Sequence, residues 1–413
     1  MKDKLFHGWH IVAAAFVILF LSTGTHLSFG VMLKPMAAEF GWDRGAVSSA
    51  YFLNMIVFSS SLVFIGRLYD RVGPRPILFV ATVLLAGGYA LTANITVLWQ
   101  LYLSYSLITA LGLGGTSVPL MSALIAKWFT ERRGMAISLA IAGASIGQFV
   151  LVPLLTRITL EYDWRTAYLT VAIVTLVVLS LLTFFVIRST PEALGKKPYG
   201  SEISASGKPF AAADSSRDLN LAEAMHTRSY WLFLVTMFIC GGGDFFIVTH
   251  FIPMVTDYGI SPTVGGRMLG LYGLMSLAGL LVAGPLSDVI GNKAPIVATF
   301  MLRIPLFLLI LNWQTTTAFY IFALGFGFTQ LMTAPVTPTL LGKLYGLSHI
   351  GVNMGLILTF HHLSGGFWVY AGGEIYDYTG SYQLVFIIFT VLASIALICS
   401  SLLIDKRHDK PRR

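Results

Sequence analysis

The sequence predicts an all-α membrane protein: twelve transmembrane helices arranged as two pseudo-symmetric six-helix bundles. Three observations carry that reading. Hydrophobic residue types make up 56% of the 413 residues and charged types 11%, too few to give a soluble globule of this size its polar shell. The apolar residues fall in runs long enough to cross about 30 Å of hydrocarbon as helices. Short motifs in the first half return, in the same order, in the second.

Twelve spans are expected at 9–31, 45–66, 76–94, 98–125, 134–156, 165–187, 230–254, 264–286, 295–313, 317–341, 349–372 and 382–404. Barrel strands would alternate, whereas runs such as 76–91 and 171–186 are apolar on every side. The first run is long and no small-residue cleavage site follows it, so it reads as a retained helix rather than a signal peptide. Of 27 Lys and Arg, 21 fall in the segments that face the cytoplasm if both termini lie there, 5 fall in the opposite loops, and Arg303 alone lies inside a span. The positive-inside rule therefore places both termini in the cytoplasm, in a cell membrane. The net charge of +8 belongs to that face, beside anionic headgroups, and does not call for nucleic acid. Cys240 and Cys399 lie in apolar runs and give neither a disulfide framework nor metal-ligand spacing.

The one long polar stretch, 188–228, is rich in Pro, Gly and Ser and reads as a partly flexible cytoplasmic linker. The domains are then an N-terminal bundle 1–187, the linker 188–228, a C-terminal bundle 229–404 and a basic tail 405–413. The motif from Gly66 through Asp70 and Gly73 to Arg75 returns as Gly284, Asp288, Gly291 and Lys293. The run Ala110–Thr116 returns as Ala323–Thr329, and Tyr162-Asp163 as Tyr376-Asp377.

Two parallel six-helix repeats with these loops resemble the major facilitator superfamily. That resemblance implies a site near the midplane that is opened to each side in turn. The glycines of the loop permit a tight turn, and the carboxylate can accept bonds from a helix N-terminus or a nearby arginine. Asp70, Arg71, Arg75, Arg132, Arg133, Asp288 and Lys293 are accordingly the expected cytoplasmic gating residues.

A narrower resemblance, to the monocarboxylate-porter and oxalate/formate-antiporter branch, rests on several segments. They are Gly8-Trp9, Glu39 to Arg44, Asp163-Trp-Arg165, and Gly372 to Tyr382. The most specific is Trp128-Phe-Thr-Glu-Arg-Arg-Gly-Met-Ala136, leading into Ala140 to Gly147. The eighth span has Leu280 near the position where carboxylate-binding members carry a cation.

Ionisable groups inside spans are costly, so each is a functional candidate. Arg303 lies near mid-depth of the ninth span, where its planar fork suits either a carboxylate or a buried ion pair. Asp244 follows three glycines in a helix expected to line the cavity, where it can carry a proton. His250, His26 and His361 can titrate near neutral pH. The branch resemblance favours His250, and favours His361 over His362. Gln148, Asn54, Tyr51, Phe326 and Phe328 are expected to line the cavity, with core packing as the alternative for the aromatic residues.

No phosphate-binding loop, selectivity filter, nucleophile elbow or metal spacing stands out. No enzyme activity, cofactor or metal is expected. The expectation is a monomeric secondary transporter of a small organic anion, coupled to protons. A carboxylate exchanger, an efflux transporter of neutral or cationic compounds, and a transporter-shaped ligand sensor are the alternatives.

Overall fold

In a computed structural model of the chain, the described residues are 6–200, 218–346 and 348–404. The side chains of Asp70, Ala193 and Asp288 are not among them. The described residues are almost entirely helical, with one isolated β-bridge between Phe129 and Tyr199. The chain forms two compact units, Met1–Trp42 with Leu53–Ala211, and Asp43–Phe52 with Ala212–Arg413.

In the first unit the helices are α1 (His7–His26), α2 (Phe29–Phe40), the body of α3 (Arg44–Val72), α4 (Pro74–Thr92) and α5 (Leu98–Leu101). A π-helical stretch, Tyr102–Thr109, leads into α6 (Ala110–Gly115), followed by α7 (Val118–Trp128), α8 (Arg133–Glu161) and α9 (Trp164–Leu181). The second unit takes the first turns of α3, then α10 (Leu221–Met225), α11 (Arg228–Asp257), α12 (Pro262–Ile290) and α13 (Lys293–Asn312). It ends with α14 (Thr316–Gln330), α15 (Val336–Tyr345), α16 (Ile350–Thr379) and α17 (Gln383–Ser401).

Among the described residues, ten helical stretches are long and apolar enough to cross a membrane. The other two expected spans have physical reasons for differing. The span at 317–341 is broken between α14 and α15. The span at 349–372 forms the 30-residue α16, long enough at about 1.5 Å per residue, but diluted by Asn353, His361, His362 and Ser364.

The repeat seen in the sequence recurs in the packing. In the first unit α1 lies along α8, and α4 along α9 and α6; in the second, α11 lies along α16, and α13 along α17 and α14. Close approach requires glycine at these crossings. A Cβ at Gly24 would meet the backbone of Gly147, and one at Gly241 would meet the carbonyl of His361. The loop glycines that the motif singled out, Gly73 and Gly291, both have positive φ (82° and 92°), a region in which a side chain is strained.

Both fourth spans are interrupted at corresponding places, at Thr116–Ser117 and at Leu331–Pro335. The freed carbonyls find side chains of their own unit: Ser22 Oγ lies 3.5 Å from Thr116 O, and Arg303 Nη2 lies 3.4 Å from Thr329 O.

The described ends of the expected linker are bound rather than loose. Tyr199 N–H donates to Trp128 O and its own carbonyl accepts from Thr130 N–H (2.9 and 3.0 Å). In the other unit, Asp218 accepts from Ser348 N–H and Oγ–H. The stretch 201–217 lies outside the described residues.

Asp163 and Asp377, equivalent by repeat, have diverged. Asp163 caps α9 by accepting Thr166 N–H at 2.5 Å. That backbone bond holds its carboxyl below the usual aspartate range. Asp377 accepts the backbone N–H groups of Arg44 and Gly45 (3.1 and 2.6 Å), the head of α3.

Candidate substrate and proton site

The second unit encloses a polar cluster built on four helices. On α11, Gly241 and Gly242 let His361, Ser364 and Trp368 of α16 come close, and Gly243 faces Phe326 and the guanidinium of Arg303. Arg303 reaches this place from α13, and its side chain is fully buried. Arg303 Nη2 donates to Asp244 Oδ1 at 2.5 Å, Nε to Thr329 Oγ1 at 3.0 Å, and Nη1 to Cys240 O at 3.4 Å. The guanidinium lies 4.3 Å from the centroid of the Phe326 ring, a cation–π placement that a desolvated arginine favours. Its fork also caps the broken end of α14, where helix carbonyls carry partial negative charge.

The other carboxylate oxygen, Asp244 Oδ2, accepts from the Cys240 thiol at 3.4 Å and lies 3.9 Å from His361 Nε2. His361 Nδ1 meets Met237 O at 3.0 Å. A carbonyl only accepts, so Nδ1 carries a proton, and in the neutral ring the Nε2 lone pair faces Asp244. Cys240 Sγ, an Asp244 oxygen and a His361 nitrogen lie within 4.8 Å of one another. The guanidinium already holds the carboxylate, so the cluster is an ion pair with a neighbouring proton acceptor. The sequence reading left Arg303 between a substrate ligand and an ion pair; its fork is engaged by Asp244.

His250 lies further along α11, about 9 Å from Asp244 at 1.5 Å per residue. Its Nδ1 lies 2.9 Å from Tyr382 OH and its Nε2 2.8 Å from Val369 O. His362 turns to its own helix, with Nδ1 2.7 Å from Leu358 O.

In the first unit, two of the expected residues meet: His26 Nε2 lies 3.2 Å from Asn54 Oδ1, and Asn54 Nδ2 donates to Tyr105 O at 2.7 Å. Gln148 is fully buried on α8, and neither its Oε1 nor its Nε2 has a hydrogen-bond partner among the described residues. Such orphaned pairs are rare in native interiors. Tyr51 is buried in the second unit with its ring 6.3 Å from Phe245. Phe326 forms the wall under Arg303, and Phe328 is half-buried.

Among the expected gating cations, Arg75 donates to Phe184 O and Ile187 O, both at 2.7 Å. Arg133 donates to Ala126 O and Phe129 O, both at 3.1 Å. Lys293 donates to Ser401 O. Arg71 and Arg132 are exposed. The side chains of Asp70 and Asp288 lie outside the described residues.

The family model described as Major Facilitator Superfamily matches residues 12–261 and 232–413. The chain belongs to the major facilitator superfamily. Among curated relatives, monocarboxylate transporter 13 of Rattus norvegicus is 26% identical over 385 residues, covering 92% of this chain and 85% of the relative. An MFS-type transporter of Bacillus subtilis, YcxA, is 24% identical and covers 97% of both chains. Of solved structures, a bacterial homologue of the human lysosomal transporter Spinster superposes with a TM-score of 0.73 at 13% identity, covering 97% of each chain. The nucleoside transporter NupG superposes with the same score at 11% identity. These two likenesses concern the fold.

Within this superfamily member, sequence reasoning missed four polar groups of the second unit. Cys240 and Thr329 complete the Arg303 cluster. Arg44 forms a bidentate pair with Asp257 (2.7 and 2.8 Å). Arg44 had counted only as a loop cation, because its partner is 213 residues away. The one usable signal was the Glu39 to Arg44 motif itself.

Proposed function

We propose that the protein is a secondary active transporter that moves a small organic anion, of the monocarboxylate type, together with a proton. It works by alternating access in a cell membrane, with both termini cytoplasmic. The observation that carries this reading is the buried Asp244–Arg303 pair with His361 beside it. A proton arriving at Asp244, by way of His361, cancels the carboxylate's charge. Arg303 is then an unpaired cation in a dry site, an arrangement that costs several kcal/mol. A carboxylate substrate supplies the missing charge through the same fork. Proton and anion together are neutral, so the loaded site can change its exposure without carrying net charge through hydrocarbon. The monocarboxylate transporters among its relatives support the substrate class.

The test is flux in proteoliposomes. Wild-type protein should accumulate a labelled monocarboxylate when the proton gradient points inward. Asp244→Asn, fixed in the neutral form, should still exchange internal for external anion but lose gradient-driven accumulation. If Asp244→Asn accumulates substrate like wild type, the reading is wrong.

A further inference from the structure

At the end of the second unit where α11 and α16 finish and α17 begins, a second polar chain runs through His250, Tyr382, Arg44 and Asp257. Hydrogen-bond direction in it is determined. Val369 O can only accept, so His250 Nε2, 2.8 Å away, carries the proton. In the neutral ring Nδ1 is then the acceptor, and the Tyr382 hydroxyl, at 2.9 Å, donates to it. Having spent its one proton there, the phenol oxygen accepts from Arg44 Nη1 at 2.9 Å. Arg44 also grips Asp257 through both terminal nitrogens (2.7 and 2.8 Å), and its guanidinium carbon lies over the Tyr376 ring, 3.7 Å from the centroid. Asp377 holds the first two amides of α3. A Cβ on Gly45 would strike Glu374.

A second proton on His250 disturbs this arrangement. Both ring nitrogens would donate, and Tyr382 OH would face two donors with its own hydrogen unplaced. An imidazolium and a guanidinium would then share one oxygen in a buried site. The charged and titratable groups around His250 and the head of α3 are Arg44 from α3, Asp257 from His250's own helix, Glu374, Tyr376 and Asp377 from α16, and Tyr382. Asp257 and Asp377 are already engaged by the head of α3, through the Arg44 side chain and the backbone amides, and both ring nitrogens of His250 face Tyr382 and Val369 rather than an acid.

We propose that Tyr382 is a positioning residue that ties the protonation of His250 to the fastening of Asp43–Phe52 within the second unit. With His250 neutral, Arg44 is held by Tyr382 as well as by Asp257; with His250 protonated, the Tyr382 bond is weakened and Asp43–Phe52 is held less firmly. In the orientation proposed above, this end faces the exterior, so exterior acid would act on it. The inference stands whether or not Asp244 carries the transported proton.

Hydrogen exchange on the full chain in nanodiscs tests it, with rates corrected for the chemical effect of pH. Between about pH 7.5 and about pH 5, amides of Asp43–Phe52 should lose at least about tenfold in protection, while α13 keeps its own. His250→Gln preserves a donor for Val369 O and an acceptor for Tyr382, and should abolish the acid response. Tyr382→Phe keeps the ring and should also abolish it; it carries the test if the glutamine variant does not fold. An acid-insensitive wild type, a loss of protection spread equally into α13, or a wild-type response in either variant would overturn the proposal.

Discussion

Arg303 shows how one side chain decides the chemistry of its surroundings. Its charge is fully desolvated, so its partners must return what water would have given. Asp244, Thr329 and Cys240 do so. Asp244→Ala leaves the guanidinium without its counter-ion and should cost about 3–5 kcal/mol, read as a large drop in melting temperature in detergent. Arg303→Lys keeps the charge but cannot reach Asp244 and Thr329 in a fork; it should lower both apparent substrate affinity and melting temperature. His361→Gln removes the group 3.9 Å from Asp244. If His361 delivers the proton, the pH profile of uptake should shift to the acid side with little change in stability. The sequence made Asp244, Arg303 and His361 visible, because ionisable residues are few in such apolar runs. It did not show that they meet, since 59 residues separate Asp244 from Arg303.

At the scale of helices, glycine positions set the pairings. Gly241 lies against the His361 carbonyl, so α11 and α16 touch at the height of the proposed proton path. Gly241→Leu has nowhere to put its side chain and should cost at least about 1–3 kcal/mol, with loss of a monodisperse peak. Gly87→Ala, where nothing stands within 4 Å of the new Cβ, should be tolerated. Asp163→Ala removes the cap of α9 and should cost about 1 kcal/mol. The bond to Thr166 N–H favours the charged carboxylate, so this contribution is present at neutral pH and fades as pH falls below the usual aspartate range. The interruptions of the two fourth spans were half legible. The glycines before them are plain in Ala110–Thr116 and Ala323–Thr329, but glycine-rich helix and broken helix look alike until the backbone is placed.

For the whole molecule, the proposed orientation makes a direct prediction. In intact cells, an impermeant thiol reagent added outside should label Asn94→Cys and not Gly195→Cys; the reverse pattern would invert the topology. Sequence by itself determined that the chain is helical, belongs in a membrane, and is built from two related halves. Those properties follow from composition, run length and short repeated motifs, which are local and survive without contacts. Only tertiary structure decided which polar groups meet: Asp244 with Arg303, His250 with Tyr382, and Arg44 with Asp257. It also decided that the head of α3 belongs with the second unit although the rest of that helix belongs with the first. The physical reason is that a buried charge must find a counter-charge somewhere in space, and nothing in a linear chain specifies at what separation that partner lies.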